Sequence, residues 1–257
     1  MNHDSNIKPN APAGAARDGQ IPEQATREVL SVESRTIFLF VNGIATWPGN
    51  FTNWNKRAVT CTHTTTEHRA EAFEYFCTPI SRPFREDERA RHFARAVHEY
   101  SRRGWKIICV GHSNGCDVIL DGLKRAGWPR VEAIHLVCGA CEADFAVNGL
   151  NASLYLNKVG SVFVYNAEQD WALPLAHSLP GKLLGYGTLG LNGALHIADS
   201  IKDRVVQNWW RDYGHSTCWL PENFKNTMWN FFAPPSVTPW VAKMDAHYGG
   251  RHYLSRR

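Results

Sequence analysis

Residues 106–115 read Lys106-Ile107-Ile108-Cys109-Val110-Gly111-His112-Ser113-Asn114-Gly115. The first half is a run of strand-forming residues with no polar face after Lys106, which suits a strand buried on both sides. The second half fits the pattern G-x-S-x-G. Its glycines allow a sharp turn with no Cβ to clash. Residues 114–125 then read as an amphipathic helix. A strand, a tight turn and a helix in that order lift Ser113 clear of the sheet and place it at a helix N-terminus. There the free backbone N–H groups and the helix dipole stabilise an anion forming on a substrate.

The same alternation extends outward. Residues 36–41, 131–137 and 161–165 are further apolar runs of strand formers, and 71–77 and 205–209 are weaker ones. Helical spacing marks residues 87–103, where Ala90, Phe93, Ala94, Val97 and Tyr100 recur, and Gly104 is the expected stop. Residues 220–232 also read as a helix, with Pro221 suited to its first turn. Near-continuous apolar strands separated by helices predict an α/β fold: a mostly parallel central sheet with helices on both faces. Three segments are expected: a disordered N-terminal tail over 1–33, one domain over 34–232, and an irregular basic C-terminal extension over 233–257.

A serine hydroxyl becomes a useful nucleophile only when a base takes its proton, and that base is best a histidine held by a carboxylate. Asp170 follows the strand at 161–165 and precedes Pro174, so it falls at the carboxyl edge of the sheet with Ser113. Glu168, Glu142 and Asp144 are its rivals. Among twelve histidines, His215 is set apart by lying in Gly214-His215-Ser216, between the last strand and the last helix. His196, His247 and His252 are runners-up. Two oxyanion donors are expected: the backbone N–H of Asn114, and that of Ile44 in the loop Val41-Asn42-Gly43-Ile44, where Gly43 permits close approach. Trp47, His112 and Trp171 are candidates for lining a substrate pocket, and Trp54 is weighed as core or pocket.

Composition removes other classes. At 257 residues, with 44% hydrophobic and 20% charged, the chain is neither disordered throughout, collagen-like nor a coiled coil. The net charge of +4 (28 − 24) is small, and basic and acidic residues interleave over 82–106, so no nucleic-acid partner is expected. No apolar run of about 18 residues and no apolar leader core is visible, which predicts a cytoplasmic protein without a transmembrane segment. Seven cysteines, an odd number, read as free buried thiols. The Cys138-x-x-Cys141 pair lacks a second pair at zinc spacing, and His63 and His68 sit among threonines expected to form a loop, so no metal is expected. Residues 173–199 form a glycine-rich insert that reads either as a flap over the site or as a solvated loop.

Together these residues resemble the α/β-hydrolase superfamily over residues 35–232: the Asn42-Gly43 loop, the Gly111-His112-Ser113-Asn114-Gly115 elbow, Asp170 after a late strand, and His215 before the last helix. The resemblance implies an α/β-hydrolase fold with eight strands or a shortened sheet, and a Ser113–His215–Asp170 triad. It implies a serine esterase or lipase-like enzyme acting on a small-molecule ester or lipid-like substrate through an acyl-enzyme, with no cofactor. A thioesterase or amidase would share that triad, and a non-catalytic binding protein could share the fold.

Overall fold

The computed structural model describes residues 35–44, 53–75, 77–78, 82–178 and 185–232. The expected tail, the C-terminal extension, Trp47, His247 and His252 lie outside the described residues. Six strands form one sheet: β1 (Thr36–Val41), β2 (Arg69–Phe73), β3 (Lys106–His112), β4 (Val131–Val137), β5 (Val159–Ala167) and β6 (Val205–Trp210). Their order is β2-β1-β3-β4-β5-β6, and every pairing is parallel. The helices are α1 (Trp54–Thr65), α2 (Arg82–Arg102), α3 (Asn114–Arg125), the short turns α4 (Leu150–Tyr155), α5 (Ala172–Ala176) and α6 (Leu189–Asn192), and α7 (Pro221–Phe232).

Strand β1 shows why the runs are continuous. Ile37, Leu39 and Val41 point into one core, against Phe93 and Val97 of α2 and Ile119 and Leu123 of α3. Phe38 and Phe40 point into the other, against Trp54 and Ala58 of α1 and Phe224, Met228 and Phe231 of α7. Both faces are covered, so no position in the strand has to be polar. Trp54 belongs to this second core: it is 1% exposed and stacks on Trp219 at 3.9 Å. This six-stranded parallel sheet, with helices on both faces and a strand–turn–helix at Ser113, is the α/β architecture that the sequence predicts. Among the described residues no helix is long and apolar enough to cross a membrane.

Three sequence expectations change. Strand β2 is Arg69–Phe73 and not 71–77, because its partner β1 ends at Val41, opposite Phe73. His63 and its neighbouring threonines form the last turns of α1 rather than a loop. The hydroxyls of Thr60, Thr62 and Thr64 donate to the carbonyls of Lys56, Ala58 and Thr60 one turn back, which absorbs them into the helix. His63 Nε2 accepts the Ala70 N–H at 3.1 Å and so ties α1 to the start of β2. Finally, part of the glycine-rich insert is neither flap nor solvated loop. Gly187, Leu189 and Gly190 donate backbone hydrogen bonds to Ala140, Cys141 and Gly139. A Cβ on Gly187 would sit 1.9 Å from the Cys141 carbonyl carbon, so the segment packs directly on backbone.

Candidate active site

Ser113 stands between β3 and α3 with φ 55° and ψ −123°, a backbone conformation that L-residues rarely adopt. Neighbouring hydrogen bonds hold it there. Its N–H donates to the Val137 carbonyl at 2.9 Å, and its own carbonyl accepts from Cys116 and Ala140 at 3.1 Å each. The glycines explain the sequence pattern. A Cβ at Gly115 would lie 2.4 Å from the carbonyl oxygens of Val41 and Asn42, and one at Gly111 would meet Ile119 at 2.7 Å. Both positions are places where another chain segment comes too close for any side chain.

Asp170 and His215 meet. Asp170, in the loop after β5, accepts a hydrogen bond at Oδ2 from His215 Nδ1 at 2.7 Å. Its other oxygen accepts the N–H groups of Ala172 and Leu173 at 3.0 and 3.1 Å. Burial alone would raise the Asp170 carboxyl. The His215 hydrogen bond, its charge and those two N–H groups outweigh burial and hold the carboxyl below its ordinary range. The two loops are also joined through backbone: Glu168 and Gln169 donate to Trp210 and Tyr213 at 3.0 and 3.2 Å.

His112, next to the serine, connects the elbow to the histidine loop. Its Nε2 lies 2.7 Å from the backbone carbonyl of His215. A carbonyl only accepts, so Nε2 carries the proton. The two rings are 4.9 Å apart, and Trp219 stands edge-on to His112 at 5.6 Å. Thus His112 faces the His215 loop and the Trp54–Trp219 stack. Among the described residues no hydrogen bond joins Ser113 Oγ to His215.

The remaining candidates separate clearly. Asp144 and His196, rivals for acid and base, pair with each other at 2.7 Å on the surface. Glu142 accepts the Asp144 N–H. Gly43 lies over Ser113, where an added Cβ would be 3.0 Å from Ser113 Cβ. Ile44 follows it and packs on a small apolar cluster of Ala140, Leu173 and Tyr186, with Ala176 and Leu191 at its edge. Trp171 is 72% exposed, one residue past Asp170. All seven cysteines are free. Cys138 offers a sulfur within 4.8 Å of donor atoms of Asp170 and His215, but burial, followed by neighbouring Cys218 and Asp170, raises its thiol well above the ordinary value. It therefore stays a neutral thiol beside an Asp–His pair that is already bonded.

Burial pushes two histidines down to about 3: His112, aided by the neighbouring His215, and His135, which stacks on Phe163 at 4.6 Å. Both are neutral when folded, and in the unfolded chain each takes a proton near the ordinary value of about 6.5. Their stabilisation is therefore present above about pH 6.5 and is lost progressively as pH falls toward 3. Unfolding at pH 5 should take up about two more protons than at pH 7.5 on their account, read from the pH dependence of the urea midpoint. A flat midpoint between those pH values would contradict this.

No protein-family model matches the chain, and no curated protein matches it. Among solved structures, it is similar to an uncharacterized protein from Bacillus cereus, at 14% identity over 81% of this chain and 67% of that one, with a TM-score of 0.47. It is similar to a putative hydrolase from Agrobacterium vitis, at 14% identity over 77% and 87% of the two chains and a TM-score of 0.45. Naproxen esterase from Bacillus subtilis is similar at 13% identity over 82% and 96%, with a TM-score of 0.44.

Proposed function

We propose that the protein is a serine hydrolase that cleaves carboxylic esters, with Ser113 as nucleophile, His215 as general base and acid, and Asp170 as the carboxylate that orients His215. One observation carries this reading. A serine is held at φ 55° on a tight strand-to-helix turn, its neighbour His112 bonds the His215 backbone carbonyl at 2.7 Å, and the His215 side chain bonds the buried Asp170 at 2.7 Å. The side chains of Asp170 and His215 are 2% and 15% exposed, so the pair works in a medium where electrostatic contacts are strong. The surface pair Asp144–His196 has no such setting.

The reaction follows from these roles. His215 Nε2 takes the Ser113 proton as Oγ attacks the ester carbonyl. Negative charge then develops on the carbonyl oxygen, and the backbone N–H groups of Asn114 and Ile44 are the assigned donors to it. His215 returns the proton to the departing alcohol, leaving Ser113 acylated. It next takes a proton from water, which attacks the acyl carbonyl, and finally gives that proton back to Ser113. Asp170 stays ionised throughout, keeps Nδ1 protonated and stabilises the imidazolium. The cluster around Ile44, Leu173 and Tyr186 supports an apolar acyl group on the substrate.

A matched panel of p-nitrophenyl esters, thioesters and anilides of one acyl chain tests the ester assignment. The expected result is fastest turnover of the ester, with an initial burst of nitrophenol close to one per enzyme. Faster turnover of the thioester would transfer the same residues to a thioesterase.

A further inference from the structure

Tyr75 lies just past β2, outside every sequence pattern that pointed to the site. Its hydroxyl donates to the backbone carbonyl of Asn42 at 2.6 Å. The same oxygen accepts from Asn114 Nδ2 at 3.2 Å. These two partners belong to the two segments assigned as oxyanion donors. Asn42 leads through Gly43 into Ile44, and Asn114 is the residue after the nucleophile. The segments are otherwise pressed together at Gly115, where no side chain fits between α3 and the Asn42 carbonyl.

From this juxtaposition we propose that Tyr75 is a positioning residue: its hydroxyl locks the loop after β1 to the start of α3 and so fixes the spacing of the two oxyanion donors. The inference rests on the serine-hydrolase reading. The hydroxyl is suited to the task because it uses its single proton toward a carbonyl and its lone pair toward an amide, so both bonds form together. Arg89 of α2 stacks over the ring, with its guanidinium carbon 5.4 Å from the centroid, and holds the side chain from behind. Burial pushes the phenol well above its ordinary range, which favours the protonated hydroxyl that donates to Asn42.

Fixed donors matter because they need no reorganisation as charge appears on the substrate oxygen. Loosening them weakens binding of the transition state more than binding of the substrate, which lowers kcat with little change in KM. Tyr75→Phe keeps the ring and removes only the hydroxyl. It should lower kcat by about tenfold or more, less than the loss from deleting a donor outright. It should weaken a trifluoromethyl ketone, whose hemiketal oxygen occupies the same site, by the same factor, and leave KM near wild type.

Asn114→Ala removes the other end of the bridge while keeping the backbone N–H. Its effect should overlap with that of Tyr75→Phe, so that the double variant loses far less than the product of the two. The test is these kinetics on wild type and the three variants, at a temperature well below each melting midpoint. Wild-type kcat and ketone affinity in Tyr75→Phe, or multiplicative losses in the double variant, would overturn the positioning role alone. Should Tyr75→Phe not fold, Asn114→Ala with unchanged kcat and ketone affinity overturns it equally. A wild-type protein that neither turns over esters nor reacts with a fluorophosphonate would instead remove the underlying reading, and Tyr75's role with it.

Discussion

Replacing Ser113 by alanine should abolish ester hydrolysis, with kcat falling by about 10⁴–10⁶-fold while the fold is retained. The loss is large because the nucleophile, base and orienting carboxylate act as one unit. Removing the attacking oxygen leaves only the binding of the substrate and the oxyanion donors. The fold should persist because the bonds that hold residue 113 are made by its backbone, to Val137, Cys116 and Ala140. A second substitution separates chemistry from strain. Ser113→Gly should be just as inactive, yet more stable by about 1 kcal/mol, since a glycine accepts φ 55° without the penalty that serine carries there. Urea midpoints of the two variants check this. A glycine variant less stable than the alanine one would show that the turn is not strained.

His215→Ala should lower kcat by about 10⁴–10⁶-fold as well, and should slow reaction with a fluorophosphonate to a similar degree. The variant is informative because the backbone carbonyl that His112 bonds at 2.7 Å stays in place, so the loop keeps its anchor. What goes is the proton acceptor and the partner of Asp170. Asp170 then keeps its two backbone N–H bonds but loses the hydrogen bond that helps hold its carboxyl low. Turnover of p-nitrophenyl esters and the thermal midpoint, measured together, separate this from unfolding. Substantial activity in a folded His215→Ala would move the base to another histidine.

Most of this arrangement is legible in the sequence, for a physical reason. Strands covered on both faces carry apolar residues at most positions, so β1, β3, β4 and β5 stand out as runs. A turn that brings another backbone within 2.4 Å of a Cβ position must carry glycine, so the elbow stands out too. Asp170 and His215 follow because loops at the carboxyl ends of parallel strands converge on one edge.

Other features are hidden because they depend on contacts between distant segments. The threonine-rich α1 has poor helix formers. Its amphipathic face gains stability from Trp54 stacking on Trp219, a residue 165 positions away in the chain. The described part of the glycine-rich insert depends on backbone bonds to residues 139–141, which no pattern of side chains announces. Tyr75 bonds a main-chain carbonyl in the loop after β1 and a side-chain amide at the start of α3, and a tyrosine after a weak strand carries no signal of that. His112 reads as a pocket residue because of its place beside the nucleophile. In the fold its ring is turned toward the carbonyl of His215.

The most direct measurement is labelling of the intact protein with a fluorophosphonate, followed by mass spectrometry of its peptides. The proposed mechanism predicts close to one adduct per chain, carried by the peptide containing Ser113 and absent from Ser113→Ala. Equal labelling of wild type and Ser113→Ala, or no adduct on a folded wild-type protein, would contradict it.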